Sequence, residues 1–243
     1  MKYEVKNIGK GYKKLKVLND ISIEFEKNKI TCILGPSGCG KTTLLNIIAG
    51  IANKDSGEII GFEKRNISFV FQEDRLFEWK NVKENIEFVL KDKMTKKDRE
   101  NIIDKYLKLI NLRKYKYYYP TKLSGGMRQQ VNILRAFVYP SSILIMDEPF
   151  KSLDINSKQT TIEFFTKVKK LENKTCILVT HDIEEALVLG DKIVILSDKP
   201  AKIKKTITNN LSTYERKKNT EKKNQLKKLI ENEIKKVEYT TPP

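Results

Sequence analysis

The sequence predicts an α/β protein with a parallel sheet and a mainly helical insertion. Apolar runs typical of strands buried on both faces occur at 30–34, 143–146 and 175–179, and helical patterns lie between them. Alternation of such strands with helices is the pattern of a parallel sheet. Between about residues 73 and 140 the apolar residues take helical spacing instead, which predicts a helical subdomain inserted between the strands.

The two ends of the chain carry weaker patterns. Residues 3–8 and 21–25 predict short strands, the second because apolar and polar residues alternate there. We place the main domain at 1–205 and a lysine-rich tail at 206–243. Apolar residues at helical spacing in 214–238 favour an amphipathic helix, whereas the high lysine and glutamate content is equally compatible with disorder.

The composition is that of a globular protein with a basic surface. The chain has 243 residues and a formal net charge of +17, with 39% hydrophobic and 33% charged residues. Lysine and arginine are spread along the whole chain, which favours a solvated basic surface over a patch that binds nucleic acid. Attraction to an anionic membrane surface is a further alternative.

The apolar runs and the cysteines of the sequence disfavour several kinds of protein. We expect no membrane-spanning helix, since no apolar run reaches about 18 residues, and no signal peptide at the N-terminus. The three cysteines, Cys32, Cys39 and Cys176, are widely spaced and form no C-x-x-C pair. This argues against a disulfide framework and a zinc site, and it is typical of a reducing compartment.

Residues 35–42 carry the strongest motif, G-x-x-x-x-G-K-T, directly after the apolar run at 30–34. Glycines let backbone N–H groups converge on phosphate oxygens, and the helix that follows adds the positive end of its dipole. We expect Lys41 to reach the β- and γ-phosphates and the Thr42 hydroxyl to bind Mg²⁺. The motif in this strand–loop–helix context predicts a nucleotide-binding site.

Two acids, Asp147 and Glu148, follow the apolar run at 143–146. A carboxylate at a strand end can hold Mg²⁺, and a second one beside it can act as general base toward an attacking water. We assign these roles to Asp147 and Glu148 in that order. Adjacent acids at a strand end are also typical of an exposed turn, but the phosphate loop in the same chain favours the catalytic interpretation.

A second helix start that could bind an anion lies at Ser124, Gly125 and Gly126, which precede a helical pattern. A simple N-cap with a flexible turn is the structural alternative. One bound nucleotide does not obviously need two such sites in one chain.

The motifs at 35–42, 123–130 and 143–154, in this order and spacing, resemble those of the nucleotide-binding subunits of ABC transporters. The resemblance covers about residues 1–205, and the middle motif separates this family from other phosphate-loop ATPases. It implies a phosphate-loop ATPase core with a parallel sheet, an antiparallel β subdomain at the N-terminus and an inserted helical subdomain. It also implies ATP hydrolysis coupled to transport, with ATP and Mg²⁺ as cofactors.

The resemblance assigns further roles by position. Tyr12 falls where an aromatic side chain stacks on adenine, and Gln72 falls where an amide touches Mg²⁺ and the attacking water. Asp154 lies in a loop that crosses a dimer interface, and His181 matches a switch histidine that contacts the γ-phosphate. The expected catalytic residues are therefore Glu148, His181 and Gln72, and the expected Mg²⁺ ligands are Thr42, Gln72 and Asp147. The expected nucleotide-binding residues are Tyr12, Gly35, Pro36, Ser37, Gly38, Cys39, Gly40, Lys41, Thr42, Thr43, Ser124, Gly125, Gly126 and Asp154.

The family also implies partners. Its ATPase subunits pair head to tail, so that each ATP lies between the phosphate loop of one copy and the segment around Ser124 of the other. Residues 73–79 and 196–200, together with Met127, are similar to importers of the nitrate, sulfonate and taurine group. This resemblance implies a membrane permease contacted near Phe77 and Trp79, with local packing of these two residues as the alternative. It further implies an extracytoplasmic solute-binding protein and a peripheral location on the cytoplasmic face of the cell membrane.

A non-transport ABC ATPase that acts on DNA or ribosomes is the rival interpretation, which the charge of +17 supports. Such proteins usually carry long coiled coils, zinc insertions or two ATPase cassettes. This sequence has one cassette, no long heptad run and no paired cysteines. We therefore expect a transport ATPase and no nucleic-acid partner.

Overall fold

The computed structural model of the chain describes residues 2–62 and 66–238, with side chains described as far as Lys235. Contacts between residues divide it into two compact units. Unit 1 consists of the described residues within Met1–Ile67 and Thr175–Pro243, and unit 2 consists of Ser68–Lys174.

An antiparallel sheet forms the first part of unit 1. Strands β1 (Tyr3–Tyr12), β2 (Leu15–Phe25) and β4 (Ser56–Ile60) pair in the order β2-β1-β4. The first two strands are longer than the predicted strands at 3–8 and 21–25. Several register shifts interrupt the pairing of β1 with β2, and such irregularities break the alternation by which a strand is recognised in sequence.

A second sheet in unit 1 carries the parallel strands. Strands β3 (Ile30–Leu34), β7 (Thr175–Val179) and β8 (Lys192–Leu196) run parallel, and β9 (Ile203–Thr208) is antiparallel at the edge, in the order β7-β3-β8-β9. All residues of β3 and β7 are buried, as their continuous apolar runs predict. Helices α1 (Lys41–Ile48) and α6 (Ile183–Leu189) follow β3 and β7.

The C-terminal segment is helical in the described residues. Helix α7 (Thr213–Lys217) begins with a reciprocal capping box between Ser212 and Glu215, and α8 (Glu221–Glu238) follows it. Ile230 of α8 is fully buried. The stretch 214–238 is thus divided between two helices, α7 and α8, rather than forming a single helix. None of the helices in the described part of the chain combines the length and the apolar character that crossing a bilayer requires.

Unit 2 is mainly helical. Strand β5 (Ile67–Val70) leads into it, and β6 (Ile143–Asp147) lies near its end. The helices are α2 (Val82–Phe88), α3 (Lys96–Leu109), α4 (Gly125–Val138) and α5 (Ile155–Leu171), with short 3-10 helices at Arg113–Tyr115 and Pro120–Lys122. Helix α3 is capped by Thr95, whose hydroxyl accepts a hydrogen bond from the Asp98 N–H at 3.3 Å.

Close packing joins the first turn of α4 to the first turn of α5. A Cβ built on Gly126 would lie 2.7 Å from Cβ and 2.8 Å from Oγ of Ser157, distances that side chains do not tolerate. Further along, the rings of Phe137 and Phe165 lie 5.5 Å apart. Gly126 is therefore required for the two helices to approach so closely.

We expect Gly126→Ala to lower the free energy of unfolding by about 1–3 kcal/mol, because the added methyl overpacks this contact. Gly125→Ala is the matched control, since its Cβ would meet no atom of the described residues within 4 Å. That control should change the free energy of unfolding by less than about 0.5 kcal/mol. Denaturant unfolding followed by circular dichroism measures both values.

A second variant checks the cause. Adding Ser157→Gly to Gly126→Ala removes the atoms that the methyl meets, so part of the lost stability should return. Equal losses for Gly125→Ala and Gly126→Ala would contradict the packing explanation.

Candidate nucleotide-binding site

The predicted phosphate loop lies at the carboxyl end of β3. This strand is hydrogen-bonded to β7 on one side and β8 on the other, and its five residues are buried. Residues 35–40 leave the strand and α1 begins at Lys41, so the loop leads directly into a helix N-terminus. Backbone N–H groups and the helix dipole are thus available to an anion at this edge of the sheet.

Two glycines of the loop have backbone conformations that other residues rarely adopt. Gly38 has φ +76° and Gly40 has φ +119°. A Cβ on Gly40 would also lie 2.8 Å from Cγ1 of Val17. Glycine at position 40 therefore meets both a conformational and a steric requirement of the loop.

The Lys41 ammonium group lies inside the loop. Its Nζ donates hydrogen bonds to the carbonyl oxygens of Gly35 at 2.8 Å and Pro36 at 2.7 Å, and only 5% of the residue is exposed. The loop thus holds a positive charge at its centre, where an anionic phosphate would be attracted. Ser37, Gly38 and Thr42 are exposed, whereas Thr43 is half-buried.

Cys39 has a packing role beneath the loop. Its thiol is buried and would lie 3.1 Å from a Cβ on Gly35. Burial raises the pKa of the Cys39 thiol despite the opposing charge of Lys41, so the thiol stays protonated near neutral pH.

His181 and Tyr12 also belong to unit 1. His181 is exposed and lies between the end of β7 and the start of α6. The preceding residue, Thr180, donates its N–H to the Ile33 carbonyl at 3.2 Å, which places the His181 segment beside the strand that carries the phosphate loop. Tyr12, at the end of β1, is 49% exposed, as stacking on a ligand ring requires, and Lys10 Nζ lies 5.1 Å from its ring centre.

The two predicted acids lie together at the end of β6 in unit 2. Asp147 is its last residue and only 5% exposed. Glu148 follows in the left-handed region with φ 44°, an uncommon and strained backbone for glutamate. Lys151 Nζ lies 2.8 Å from Glu148 Oε2. Sequence analysis does not identify this lysine, because the pairing depends on the left-handed backbone at Glu148.

Three predicted site residues of unit 2 are Ser124, Gly125 and Gln72. The first two lie at the N-terminus of α4, and the last two line one cavity. The Ser124 hydroxyl accepts a hydrogen bond from the Met127 N–H at 3.3 Å and caps α4. A cavity of about 610 Å³ is lined by Gln72 and Gly125, together with Ser152 and Leu153. The structure therefore brings Gln72 to the same cavity as the start of α4.

Asp154 caps the other helix of this region. Its carboxylate accepts hydrogen bonds from the N–H groups of Asn156 and Ser157, each at 3.1 Å. The Ser157 hydroxyl, followed by these backbone N–H groups, lowers the pKa of Asp154. The carboxylate is therefore ionised at neutral pH and fixed at the N-terminus of α5.

The cavity wall also contains an ion cluster that sequence analysis misses. Arg128 donates from Nε to Asp74 Oδ2 and from Nη2 to Glu78 Oε1, each at 2.7 Å. Asp74 and Glu78 lie 50 or more positions from Arg128 in the chain, so no local sequence pattern predicts these ion pairs. They tie the first turns of α4 to the segment that follows Gln72.

An exposed group of aromatic rings lies next to that segment. Phe77 is 5.3 Å from Trp79 and 4.8 Å from Phe88 between ring centres, and Trp79 is 73% exposed. We call these three residues the aromatic patch. The buried Asn85 side chain accepts from the Phe77 N–H at 2.9 Å and donates to the Lys80 carbonyl at 2.8 Å, so the patch rests on a fixed loop.

The predicted Mg²⁺ ligands suit the ion in chemistry. Mg²⁺ prefers oxygen donors, and Thr42, Gln72 and Asp147 offer a hydroxyl, an amide oxygen and a carboxylate. Thr42 and Gln72 are exposed, and Asp147 stands at a strand end. Thr42 belongs to unit 1, whereas Gln72 and Asp147 belong to unit 2.

Comparisons with known proteins agree with this geometry. The family model described as ABC transporter matches residues 18–151. The aliphatic sulfonates import ATP-binding protein SsuB of Bacillus cereus is 40% identical over 89% of this chain and 87% of its own length. The taurine import ATP-binding protein TauB of Roseobacter denitrificans is 37% identical over 79% of this chain and 74% of its own length.

A solved structure gives the same result. The dimeric, post-hydrolysis state of the ATP-binding cassette MJ0796 bound to ADP and Pi matches with a TM-score of 0.74 and 28% identity, over 86% of this chain and 100% of that chain. The predicted fold class, an ABC ATPase core with an antiparallel β subdomain and a helical subdomain, is thereby confirmed. The predicted roles of individual site residues stay predictions. The chain belongs to the ABC transporter family.

Proposed function

We propose that this chain is the ATP-binding and ATP-hydrolysing subunit that powers solute import by an ABC transporter. The observation that carries the proposal is the phosphate loop, in which Lys41 lies between loop carbonyls at the end of the buried strand β3. The relatives named above are import subunits for sulfonates and taurine, and a small solute of the nitrate, sulfonate or taurine type is the cargo we propose.

In this proposal the loop binds the phosphates of ATP. Backbone N–H groups of the loop from Ser37 to Thr43, which include the α1 N-terminus, donate to the phosphate oxygens, and the Lys41 ammonium moves from the loop carbonyls to the β- and γ-phosphates. Tyr12 stacks on adenine. His181 donates to the γ-phosphate from its position beside the end of β3.

Hydrolysis requires charge stabilisation and a base. Thr42, Gln72 and Asp147 hold Mg²⁺, which neutralises the charge on the phosphates when bound. Glu148 accepts the proton of the attacking water. Its ion pair with Lys151 holds the carboxylate in one orientation until nucleotide and water compete for it.

A second copy of the chain completes the site. Ser124 and Gly125 are exposed at the start of α4, followed by the buried Gly126, and the N–H groups of this helix start suit the γ-phosphate of an ATP held by the other copy. Asp154 caps α5, whose first turn packs against the first turn of α4, and we place it at the same interface between the two copies. Support comes from the structural neighbour MJ0796, which is dimeric. ATP binding then closes the dimer, and hydrolysis reopens it.

The aromatic patch is our proposed contact with the membrane permease. Aromatic side chains often dominate the energy of protein interfaces, and Trp79 and Phe88 are 73% and 55% exposed. The permease holds the chain at the membrane, and an extracytoplasmic solute-binding protein delivers the solute to the permease. Gln72 lies five positions before Phe77, so occupation of the ATP site can be communicated to this contact through the segment between them.

We expect Glu148→Gln to reduce the ATP turnover number by about 100-fold or more, because the general base is lost while the loop is intact. With ATP and Mg²⁺ the variant should sediment as a stable dimer. Lys41→Ala added to it should remove both ATP binding and the dimer. Ordinary turnover by Glu148→Gln would refute the assignment of the base.

We expect the double substitution Trp79→Ala and Phe88→Ala to reduce recovery of the permease by about tenfold, since aromatic anchors are lost. The affinity-tagged chain is isolated from detergent-solubilised membranes of its own host, and the integral membrane protein recovered with it is quantified by mass spectrometry. ATP-dependent dimerisation should be unchanged.

Tyr214→Ala is the matched control, because Tyr214 is 68% exposed on α7 and lies outside the aromatic patch. It should leave permease recovery unchanged. Unchanged recovery with the double variant would refute the docking site. Recovery of ribosomes or of salt-sensitive DNA in place of a permease would refute the transport function itself.

A further inference from the structure

The segment from Asn209 to Lys227 contacts both ends of helix α6. This helix comes directly after His181 and Asp182, and it packs against β3, the strand that carries the phosphate loop. The segment lies beyond the stretch matched by the family model, which ends at residue 151. Sequence analysis assigns no role to it.

Two side chains of the segment form hydrogen bonds at the carboxyl end of α6. The amide of Asn209, which is only 4% exposed, donates to the carbonyls of Leu187 at 2.9 Å and Gly190 at 2.8 Å. Arg216 donates to Asp191 Oδ1 at 3.0 Å, and Asp191 Oδ2 in turn accepts from the Ile30 N–H at 2.9 Å. The end of α6 is thus attached to the segment and to the start of β3.

Two lysines of α8 hold the amino end of α6. Lys223 and Lys227 place Nζ at 2.8 Å and 2.7 Å from the two carboxylate oxygens of Glu184. Burial raises the pKa of Glu184, but the two ammonium groups outweigh it and keep that pKa below its ordinary value. Glu184 therefore carries a full negative charge between two cations.

A short chain of hydrogen bonds connects this end of α6 to His181. Asp182 caps the helix by accepting from the Glu184 N–H at 2.7 Å. The Asp182 N–H donates to the Thr180 hydroxyl at 3.0 Å, and that hydroxyl donates to the buried carboxylate of Glu185 at 2.5 Å. His181 lies between Thr180 and Asp182, so its backbone position follows that of the first turn of α6.

We propose that Lys223 and Lys227 are positioning residues for His181, acting through Glu184 and the first turn of α6. The proposal rests on the proposed function, in which His181 contacts the γ-phosphate. Partly exposed ion pairs contribute little to folding stability. A reacting group misplaced by about 1 Å can nevertheless cost about 100-fold in rate, so a weak pair can matter more for turnover than for stability.

The first test compares two adjacent lysines of α8 in the full chain with ATP and Mg²⁺. Lys227→Glu places a like charge beside Glu184 and should lower kcat by about fivefold, with the KM for ATP changed less than about twofold, since the phosphate loop is untouched. Lys228→Glu makes the same change of charge at an exposed neighbour and should leave kcat unchanged. Equal losses in both variants would overturn the proposal.

The second test exchanges the charges. Glu184→Lys alone should lower kcat at least as much as Lys227→Glu, and combining it with Lys223→Glu and Lys227→Glu should restore kcat to within about twofold of the original. Thermal unfolding is recorded for each variant. A triple variant that regains its unfolding temperature without regaining turnover would overturn the positioning role.

The variant His181→Ala distinguishes failure of the positioning role of the lysines from failure of the proposed role of His181. Strong loss of turnover with His181→Ala, together with normal turnover for Lys227→Glu and Glu184→Lys, would overturn the positioning role alone. Normal turnover with His181→Ala would overturn the role of the histidine itself and the positioning role with it.

Discussion

Burial of strand β3 is the constraint on which the nucleotide site depends. The strand has a parallel neighbour on each side and no exposed residue, so its carboxyl end is held at one place on the edge of the sheet. Gly38 and Gly40 then turn the backbone into α1 within a few residues, and Lys41 lies between two loop carbonyls. The His181 segment and the end of α6 are hydrogen-bonded to the same strand through Ile33 and Ile30.

Each unit supplies a different kind of group. Unit 1 contains the glycine-rich loop with the Lys41 ammonium inside it, and the exposed His181. Unit 2 supplies carboxylates at the end of β6 and two capped helix starts that face solvent. In our proposal both sets of groups take part in phosphoryl transfer, since its catalysis consists mainly of positioning and charge stabilisation. We assign the helix start at Ser124 to the nucleotide of a second copy because the family resemblance implies head-to-tail pairing and the structural neighbour MJ0796 is dimeric.

Much of the fold and the location of the site could be predicted because local patterns carry them. The phosphate-loop motif, the buried apolar strands and the Thr95 cap each depend on residues close together in the sequence. The attachment of α8 to α6 could not be predicted, because Glu184 pairs with lysines about 40 positions away in a chain where lysine is abundant. The ion pair of Lys151 with Glu148 depends on a left-handed turn that only the backbone reveals.

Photocrosslinking between two distinguishable copies tests most directly whether one copy completes the site of the other. A chain with Lys41→Ala, unable to hold ATP itself, is mixed with a longer tagged chain that has an intact loop, and both carry Glu148→Gln. An ATP analogue with a photoreactive group on the γ-phosphate is then added and illuminated. Our account predicts labelling of residues 124–126 in the Lys41→Ala chain, and only when the tagged chain is present. Labelling confined to the tagged chain would contradict it.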